Sequence, residues 1–305
     1  MMGVRTDMTG QVARISHTRL SNMPRPLRLS YAGDVLRVKG TQLRPERQFK
    51  QAGVELIGSN TTQAYVEIIL LAYEALEAVN AENLSVDLTL PLLVPAITNG
   101  LGLDEELSNV VRHALDYKNI GELSNIEGEI GDISRSILDA AGNAEKSLNI
   151  LSKINLPAEA RKMCDELQDL VSRLNDAALD LTITIDPGEY TGFEYQTGIS
   201  FSIFAGGVRG ELGRGGRYMV NAEIDGGEPA TGFSLYLDSL MRALGEMEQD
   251  SKIYVPFATR RNEIVKLQAD GYRTIQGLDK NKDAAVEAAR MECELVWLNG
   301  QIEKV

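Results

Sequence analysis

Histidine, cysteine and aromatic residues are scarce in this chain, which narrows the chemistry that it can carry. Its 305 residues include two histidines, two cysteines and 6% aromatic residues. His17 and His113 are too few and too widely separated for a typical zinc or iron site, so we expect no metal centre. Cys164 and Cys293 lie in apolar segments, which is typical of buried, reduced thiols in a cytoplasmic protein.

Long hydrophobic runs are also absent. The segments Ile68–Tyr73 and Leu88–Ile97 are too short or too interrupted to cross a bilayer, and no signal-peptide pattern opens the chain. We therefore expect a cytoplasmic protein that does not bind membranes. With 43% hydrophobic residues, the chain can bury a full core and is expected to form one large domain and a smaller one.

Positive charge is scarce except near the N-terminus. The net charge is −13, yet residues 1–50 hold ten Lys or Arg against three Asp or Glu, while the remaining residues hold 21 against 41. An acidic body disfavours binding to nucleic acid and to anionic membranes. The basic segment is therefore a candidate for a more specific anionic ligand.

The basic excess centres on Arg28–Gly58, which is predicted to form a strand, a basic loop and a second strand. An arginine-rich loop between apolar strands can hold an anion, although pairing with carboxylates elsewhere in the fold would explain the same charges. In the second strand, Gln51 and Glu55 are suited to a polar or cationic group. Within this segment, residues 37–50 carry five positive charges against the single Glu46: Arg37, Lys39, Arg44, Arg47 and Lys50.

Hydrophobic periodicity predicts the elements that follow. The block at about residues 98–178 is expected to be a helical insertion between two β regions, and residues 250–305 alternate short strands and helices, as a small α/β unit does. The segment Gly210–Gly216 is predicted to be a tight turn, because it lacks the Gly-Lys-Ser/Thr of a nucleotide loop. Helices are predicted at Thr61–Asn80, Asp104–Tyr117, Asn125–Ala141, Asn143–Ile154, Pro157–Leu179 and Gly232–Met247, and strands at Leu84–Leu93, Leu179–Ile185 and Phe193–Ile203, the last with a break at Thr197-Gly198.

Several motifs in a fixed order carry a resemblance to a known family. DMTGQVARI, RPERQFKQAGVELIG and GELGRGGRY, followed by PATGFSLYLDSL, resemble the catalytic domain of class II histidyl-tRNA synthetases. They are most similar to the synthetase-like family of regulatory subunits of ATP phosphoribosyltransferase. The resemblance covers residues 3–58 and 180–245 well and the helical block weakly.

The resemblance implies an α+β fold, with a class II aminoacyl-tRNA synthetase-like antiparallel sheet flanked by helices. This domain would span residues 1–249, with the helical insertion at about 98–178, and a small C-terminal α/β unit would span 250–305. The family's motif 1 helix and strand would precede Gly3, so we expect that region to be missing.

The resemblance also assigns roles to residues. Arg37 lies at the position of the motif 2 arginine that contacts the nucleotide phosphate, which makes it a candidate anion-binding residue together with Arg44 and Arg47. L-histidine is the implied ligand, and no cofactor is implied. The histidine-binding positions correspond to Asp7, Thr9, Gln51 and Glu55, with Tyr195 and Tyr218 as aromatic walls and hydroxyls around an imidazole.

Two departures from the synthetase pattern concern catalysis. Thr191 stands where the synthetase has the arginine that activates the substrate carboxylate, and Ser239 stands where motif 3 places an arginine on the ATP γ-phosphate. Removing two cations from a phosphoryl-charged transition state should lower the rate by many orders of magnitude. No Ser-His-Asp set or carboxylate pair stands out instead, so no catalytic residue is assigned.

The expected function is that of a non-catalytic regulatory subunit. By resemblance it would pair with a short-form ATP phosphoribosyltransferase catalytic subunit in a hetero-octamer, activate it and transmit feedback inhibition by histidine. One alternative is a class II histidyl-tRNA synthetase-like enzyme or amino-acid ligase. Another is an interaction module whose pocket is empty.

Overall fold

The structure is a computed structural model that describes residues 4–37, 47–177, 180–190, 195–221, 227–244, 251–280 and 282–305. The chain divides into two units, Met1–Gly245 and Glu246–Val305, whereas the sequence predicts a boundary after residue 249. Within the described ranges, no helix combines the length and apolar character that a membrane span requires.

Eight strands of the first unit form one sheet, with the order β1-β2-β8-β7-β6-β3-β5-β4. Neighbouring strands are antiparallel, as predicted, except that β3 and β5 are parallel. The parallel pair arises because the chain between them crosses through a helical layer and re-enters the sheet in the same direction. The strands are β1 Leu27–Leu36, β2 Gln48–Ile57, β3 Ser85–Thr89, β4 Gly142–Asn143, β5 Thr182–Asp186, β6 Gln196–Phe204, β7 Gly213–Val220 and β8 Glu228–Tyr236.

Nine helices belong to the described part of this unit. Five of them, α4 to α8, lie within the predicted insertion, between β3 and β5 in the chain. The insertion helices predicted from periodicity are present, with ends that differ by a few residues. The helices are α1 Thr9–Thr18, α2 Thr62–Glu77, α3 Leu93–Gly100, α4 Glu105–Asp116, α5 Ile120–Ser124, α6 Gly128–Ala140, α7 Ala144–Leu151, α8 Ala158–Asp176 and α9 Leu237–Ala243.

The sheet has an apolar face and a polar face because side chains alternate along each strand. Leu56, Phe201 and Phe233 are buried in the same hydrophobic cluster as Tyr65 and Leu76 of α2. The residues next to them in sequence point to the opposite face of the sheet. That face carries polar side chains, among them Glu55, Ser200, Ser202 and Ser234.

The structure corrects the predicted helix Gly232–Met247. Of its described residues, those up to Tyr236 belong to β8, and Leu237–Ala243 form the helix α9. β8 lies between β2 and β7 and pairs with both, so the sheet contacts override the helical spacing of the apolar residues. The predicted break at Thr197-Gly198 is confirmed, since the β6–β7 register shifts between Gln196 and Ser200.

Three further predictions differ from the structure in their details. Gly210–Gly216 is only partly a turn, because Gly213 already begins β7. The strand predicted to reach Leu93 ends at Thr89, since Pro91 has no N–H to continue the ladder. Pro157 precedes α8 as its N-cap, with ψ of 152°, and is not its first helical residue.

The second unit is the small α/β unit that the sequence predicts. Its sheet has the order β10-β9-β11-β12, with β9 parallel to β10 and β11, and β12 antiparallel to β11. One apolar cluster joins Ile253 and Val255 to α10, and another joins Tyr254 and Val296 to α11. The elements are β9 Lys252–Val255, α10 Arg261–Ala269, β10 Arg273–Gln276, α11 Ala284–Arg290, β11 Leu295–Leu298 and β12 Gln301–Lys304.

Both cysteines are free and buried, as predicted. Cys164 lies on the buried side of α8, and burial raises the pKa of its thiol to about 11. A thiol that remains protonated at neutral pH is a poor nucleophile.

Candidate functional site

The residues predicted to bind histidine converge on the polar face of the first unit's sheet. Thr9, Glu55, Tyr195 and Tyr218 line one small cleft there. Asp7 and Gln51 lie beside the cleft, where Gln51 Nε2 donates to Asp7 Oδ2 at 2.8 Å. Six residues from four separate places in the chain are therefore neighbours in the fold.

Glu55 is the most unusual group of the cleft, because it is a carboxylate that is only 1% exposed. Tyr218 donates to its Oε2 at 3.1 Å and Tyr31 to its Oε1 at 3.3 Å. Burial raises the pKa of Glu55 to about 7, against the opposing effect of the surrounding hydroxyls. Among the described residues no cation forms an ion pair with it, so a bound ammonium or imidazolium group would complete its environment.

A glycine on the neighbouring strand makes room for this carboxylate. Gly232 of β8 is paired with Glu55 of β2. A Cβ at position 232 would lie 1.9 Å from Glu55 Oε2 and 2.5 Å from the carbonyl oxygen of Val54. Any side chain at position 232 would displace Glu55, so the glycine of the motif PATGF leaves the space that the Glu55 carboxylate occupies.

Gln51 ties the N-terminal residues to the sheet. It is 2% exposed, and its Oε1 accepts from the backbone N–H of Met8 at 3.1 Å. Asp7 also accepts the backbone N–H of Thr9 at 2.7 Å, at the start of α1. These bonds place a carboxylate and a hydroxyl at the cleft, which are suitable acceptors for a ligand ammonium group.

Tyr31 and Ser234 are central to the site, and the sequence did not single them out. The Tyr31 hydroxyl lies 2.7 Å from Ser234 Oγ and 3.2 Å from Thr9 Oγ1. Gly53 leaves space for the Tyr31 ring, since a Cβ there would lie 2.5 Å from its hydroxyl. Gly53 lies between Gln51 and Glu55 on one face of β2. A glycine at such a position indicates that a large side chain from a neighbouring strand crosses it, and this was the signal available in the sequence.

The two predicted tyrosines form an aromatic wall. Tyr195 and Tyr218 meet edge to face with ring centroids 6.1 Å apart. Tyr195 is 62% exposed and lies at the rim, whereas Tyr218 is buried. The sequence also missed Gln196, which lines the same cleft and donates to the carbonyl oxygen of Gly215 at 3.3 Å.

The structure places two of the three candidate anion-binding arginines together. The backbone N–H of Arg37 donates to the Arg47 carbonyl at 2.7 Å, closing the base of the β1–β2 hairpin, while Arg44 lies outside the described residues. The Arg37 guanidinium lies 4.5 Å from the ring centroid of Phe49 and 5.4 Å from that of Tyr236. These cation–π contacts give Arg37 a packing role, and its anion-binding role stays a prediction.

Of the two expected departures from the synthetase pattern, Ser239 lies within the described residues and Thr191 lies outside them. Ser239 is 1% exposed at the start of α9, and its hydroxyl accepts from Arg242 at 3.1 Å. A short, buried and already bonded hydroxyl cannot substitute for an arginine on a phosphate.

Comparison with known proteins gives consistent matches across the chain. The sequence model of the histidyl-tRNA synthetase family matches residues 1–240. A protein of Rhodospirillum centenum named ATP phosphoribosyltransferase regulatory subunit is 48% identical over 305 residues, which cover 100% of this chain and 78% of that protein.

Solved structures share the fold. A Bacillus halodurans structure described as an ATP phosphoribosyltransferase regulatory subunit/histidyl-tRNA synthetase has a TM-score of 0.75 at 24% identity, covering 93% of this chain and 77% of that one. A chain of the ATP phosphoribosyl transferase (HisG:HisZ) complex from Thermotoga maritima has a TM-score of 0.60 at 21% identity, covering 77% of this chain and 81% of that one.

Proposed function

The chain belongs to the histidyl-tRNA synthetase family and, within it, to the regulatory subunits of ATP phosphoribosyltransferase; from this premise we propose that it is a non-catalytic subunit that senses histidine. It pairs with a short-form catalytic subunit in a hetero-octamer, is required for the activity of that subunit, and transmits feedback inhibition in the first step of histidine biosynthesis.

The observation that carries this proposal is the environment of Glu55. A buried carboxylate with hydroxyl partners and no cationic partner among the described residues is suited to a ligand that brings a positive charge and N–H donors. Histidine has both, in its α-ammonium group and its imidazole. The neighbouring Asp7, Thr9 and Gln51 add further polar contacts for an amino acid, while Tyr195 and Tyr218 enclose a planar ring.

Regulation follows from linkage between the histidine cleft and the assembly. Histidine inhibits if it binds better to an inhibited arrangement of the subunits than to an active one, and the shift cannot exceed this difference in affinity. By resemblance, Ser239 stands where the synthetases place the motif 3 arginine that contacts the ATP γ-phosphate. This argues against the alternative of an active class II synthetase or amino-acid ligase.

Co-purification with the short-form catalytic subunit, followed by an assay with and without histidine, tests the proposal. We expect the catalytic subunit to be active only in the complex, and histidine to inhibit the complex. Histidine-dependent ATP–pyrophosphate exchange by the isolated chain would favour the synthetase alternative instead. Absence of histidine binding by calorimetry, with the chain alone and in the complex, would favour an interaction module with an empty pocket.

A further inference from the structure

A chain of hydrogen bonds runs from Gln51 to Glu55 along the floor of the cleft. The backbone N–H of Met8 fixes the orientation of its first member, the side-chain amide of Gln51. Gln51 Oε1 accepts the N–H of Met8, while Gln51 Nε2 donates to Asp7 and, at 2.7 Å, to Ser234 Oγ. If the amide were rotated, its NH₂ would face the Met8 N–H and its oxygen would face the Asp7 carboxylate. Both contacts would then be repulsive, so Gln51 must donate towards Ser234.

The direction continues through two hydroxyls. Ser234 Oγ receives the Gln51 N–H and lies 2.7 Å from the Tyr31 hydroxyl, a contact in which either oxygen could donate. Glu55 is the charged acceptor within reach of Tyr31, which favours the arrangement in which Ser234 donates to the Tyr31 oxygen. Tyr31 then has its proton free for Glu55 Oε1 at 3.3 Å. The other acceptors near Tyr31, Thr9 Oγ1 at 3.2 Å and the Phe233 carbonyl at 3.4 Å, are neutral and are therefore weaker acceptors than the carboxylate.

We propose that Ser234 is a positioning residue for histidine: its hydroxyl passes the fixed orientation of Gln51 to Tyr31, so that Tyr31 donates to Glu55 and keeps this carboxylate ready for the ligand. The inference rests on the proposed histidine-binding function of the cleft. It adds a link between the acceptors at Asp7 and the buried carboxylate, which would otherwise be separate polar groups.

The surroundings of Glu55 contain several other titratable or charged groups. Hydroxyls of Tyr218 and Thr9 also lower its pKa, whereas the charge of Asp7 raises it. Arg214 of β7 lines the cleft but forms an ion pair with Glu211 at 2.5 Å. Tyr195 lies at the rim. Loss of the Ser234 hydroxyl leaves all of these groups in place, so its effect on the Glu55 carboxyl should act through Tyr31. An effect through Gln51 and Asp7 would not depend on the titration of Glu55 and would therefore be uniform with pH.

Calorimetric titration of histidine into the 305-residue chain, alone and with its catalytic subunit, tests the inference with Ser234→Ala. Without the serine proton Tyr31 loses its fixed direction, and we expect the pKa of Glu55 to rise from about 7 by about one. Histidine affinity should then fall about eightfold near pH 6.5 and less than about twofold near pH 8.5. The titration of histidine itself is common to all variants and cancels in their ratios.

Ser202→Ala is the matched control. Ser202 is also a buried serine on the polar face, but its Oγ contacts Glu211 at 3.5 Å and takes no part in the chain from Gln51 to Glu55. Its affinity ratio to wild type should not change with pH. Tyr31→Phe is the second variant, since it removes the last donor of the chain and should reproduce the loss near pH 6.5 if Ser234→Ala does not fold.

The outcomes separate the inference from the function on which it rests. A wild-type chain that does not bind histidine in either form overturns the histidine assignment and the role of Ser234 with it. If wild type binds, then a loss in Ser234→Ala that is absent, uniform with pH or largest near pH 8.5 overturns the positioning role alone. A purely structural defect would give the uniform loss.

Discussion

Replacing Glu55 with glutamine should weaken histidine binding and, at the same time, make the free protein more stable above neutral pH. The pKa of Glu55 is raised from 4.5 to about 7 by burial, so the folded state holds its proton more tightly than the unfolded state does. For a carboxyl with this sign of shift, the full stability is present below the unfolded value of about 4.5 and is lost as pH rises through about 7.

The magnitude follows from the same shift. A difference between 4.5 and about 7 corresponds to about 3 kcal/mol of unfavourable free energy near pH 8. Glutamine has nearly the same shape and no charge, so Glu55→Gln should recover up to about 3 kcal/mol there and less than about 1 kcal/mol near pH 5. In a domain of this size a gain of about 3 kcal/mol corresponds to a rise in Tm of roughly 6–12 °C.

Thermal unfolding of wild type and Glu55→Gln near pH 5 and near pH 8, with and without histidine, checks both parts. Loss of a charged hydrogen bond should weaken histidine binding by roughly ten- to a hundredfold, so histidine should raise the Tm of wild type and not that of the variant. The reasoning is refuted if Glu55→Gln is no more stable than wild type near pH 8, or if both respond equally to histidine. Co-purification with the catalytic subunit should be retained in either case.

Three further predictions follow from contacts in the first unit. Gly232→Ala should abolish histidine binding and lower the Tm, because its Cβ would lie 1.9 Å from Glu55 Oε2; calorimetry and thermal unfolding measure the two effects. Arg217→Met should destabilise the protein by about 2–4 kcal/mol in denaturant titration, because the buried guanidinium bonds to Glu166 at 2.9 Å. Cys164, with its pKa raised to about 11, should react with a thiol reagent near pH 8 only after denaturant is added.

The elements that the sequence predicted correctly are those whose apolar residues have one clear periodicity. In α2, Tyr65, Ile68, Ile69, Ala72 and Leu76 recur at helical spacing, and all are buried. The error at Gly232–Met247 occurred where two periodicities compete. Phe233 and Leu235 alternate as in a strand, and Phe233 with Leu237 and Leu240 is also compatible with a helix. Pairing with β2 and β7 decides between them, and such pairing is not encoded in the segment itself.

The site was predictable as far as single side chains supply its chemistry. Gln51 and Glu55 share one face of β2 because they are four residues apart, and their polar nature in an apolar strand marks them. Tyr31 and Ser234 could not be assigned in this way, since their contact depends on the register of three strands. Tyr31 is opposite Gly53 across β1 and β2, and Gly53 is opposite Ser234 across β2 and β8.

The glycines and the buried carboxylate support the same conclusion about what the cleft is for. A carboxylate in the position of Glu55 makes the protein without a ligand less stable above neutral pH. Gly232 and Gly53 leave space for it and for Tyr31, and a glycine loses more backbone entropy on folding than other residues do. Neither feature improves folding above neutral pH. A bound cationic ligand with N–H donors would offset both costs, because the charge of Glu55 would then have a partner. A site that is unfavourable when empty and favourable when filled is one whose occupancy changes the free energy of the whole subunit, which is the physical requirement for a sensor.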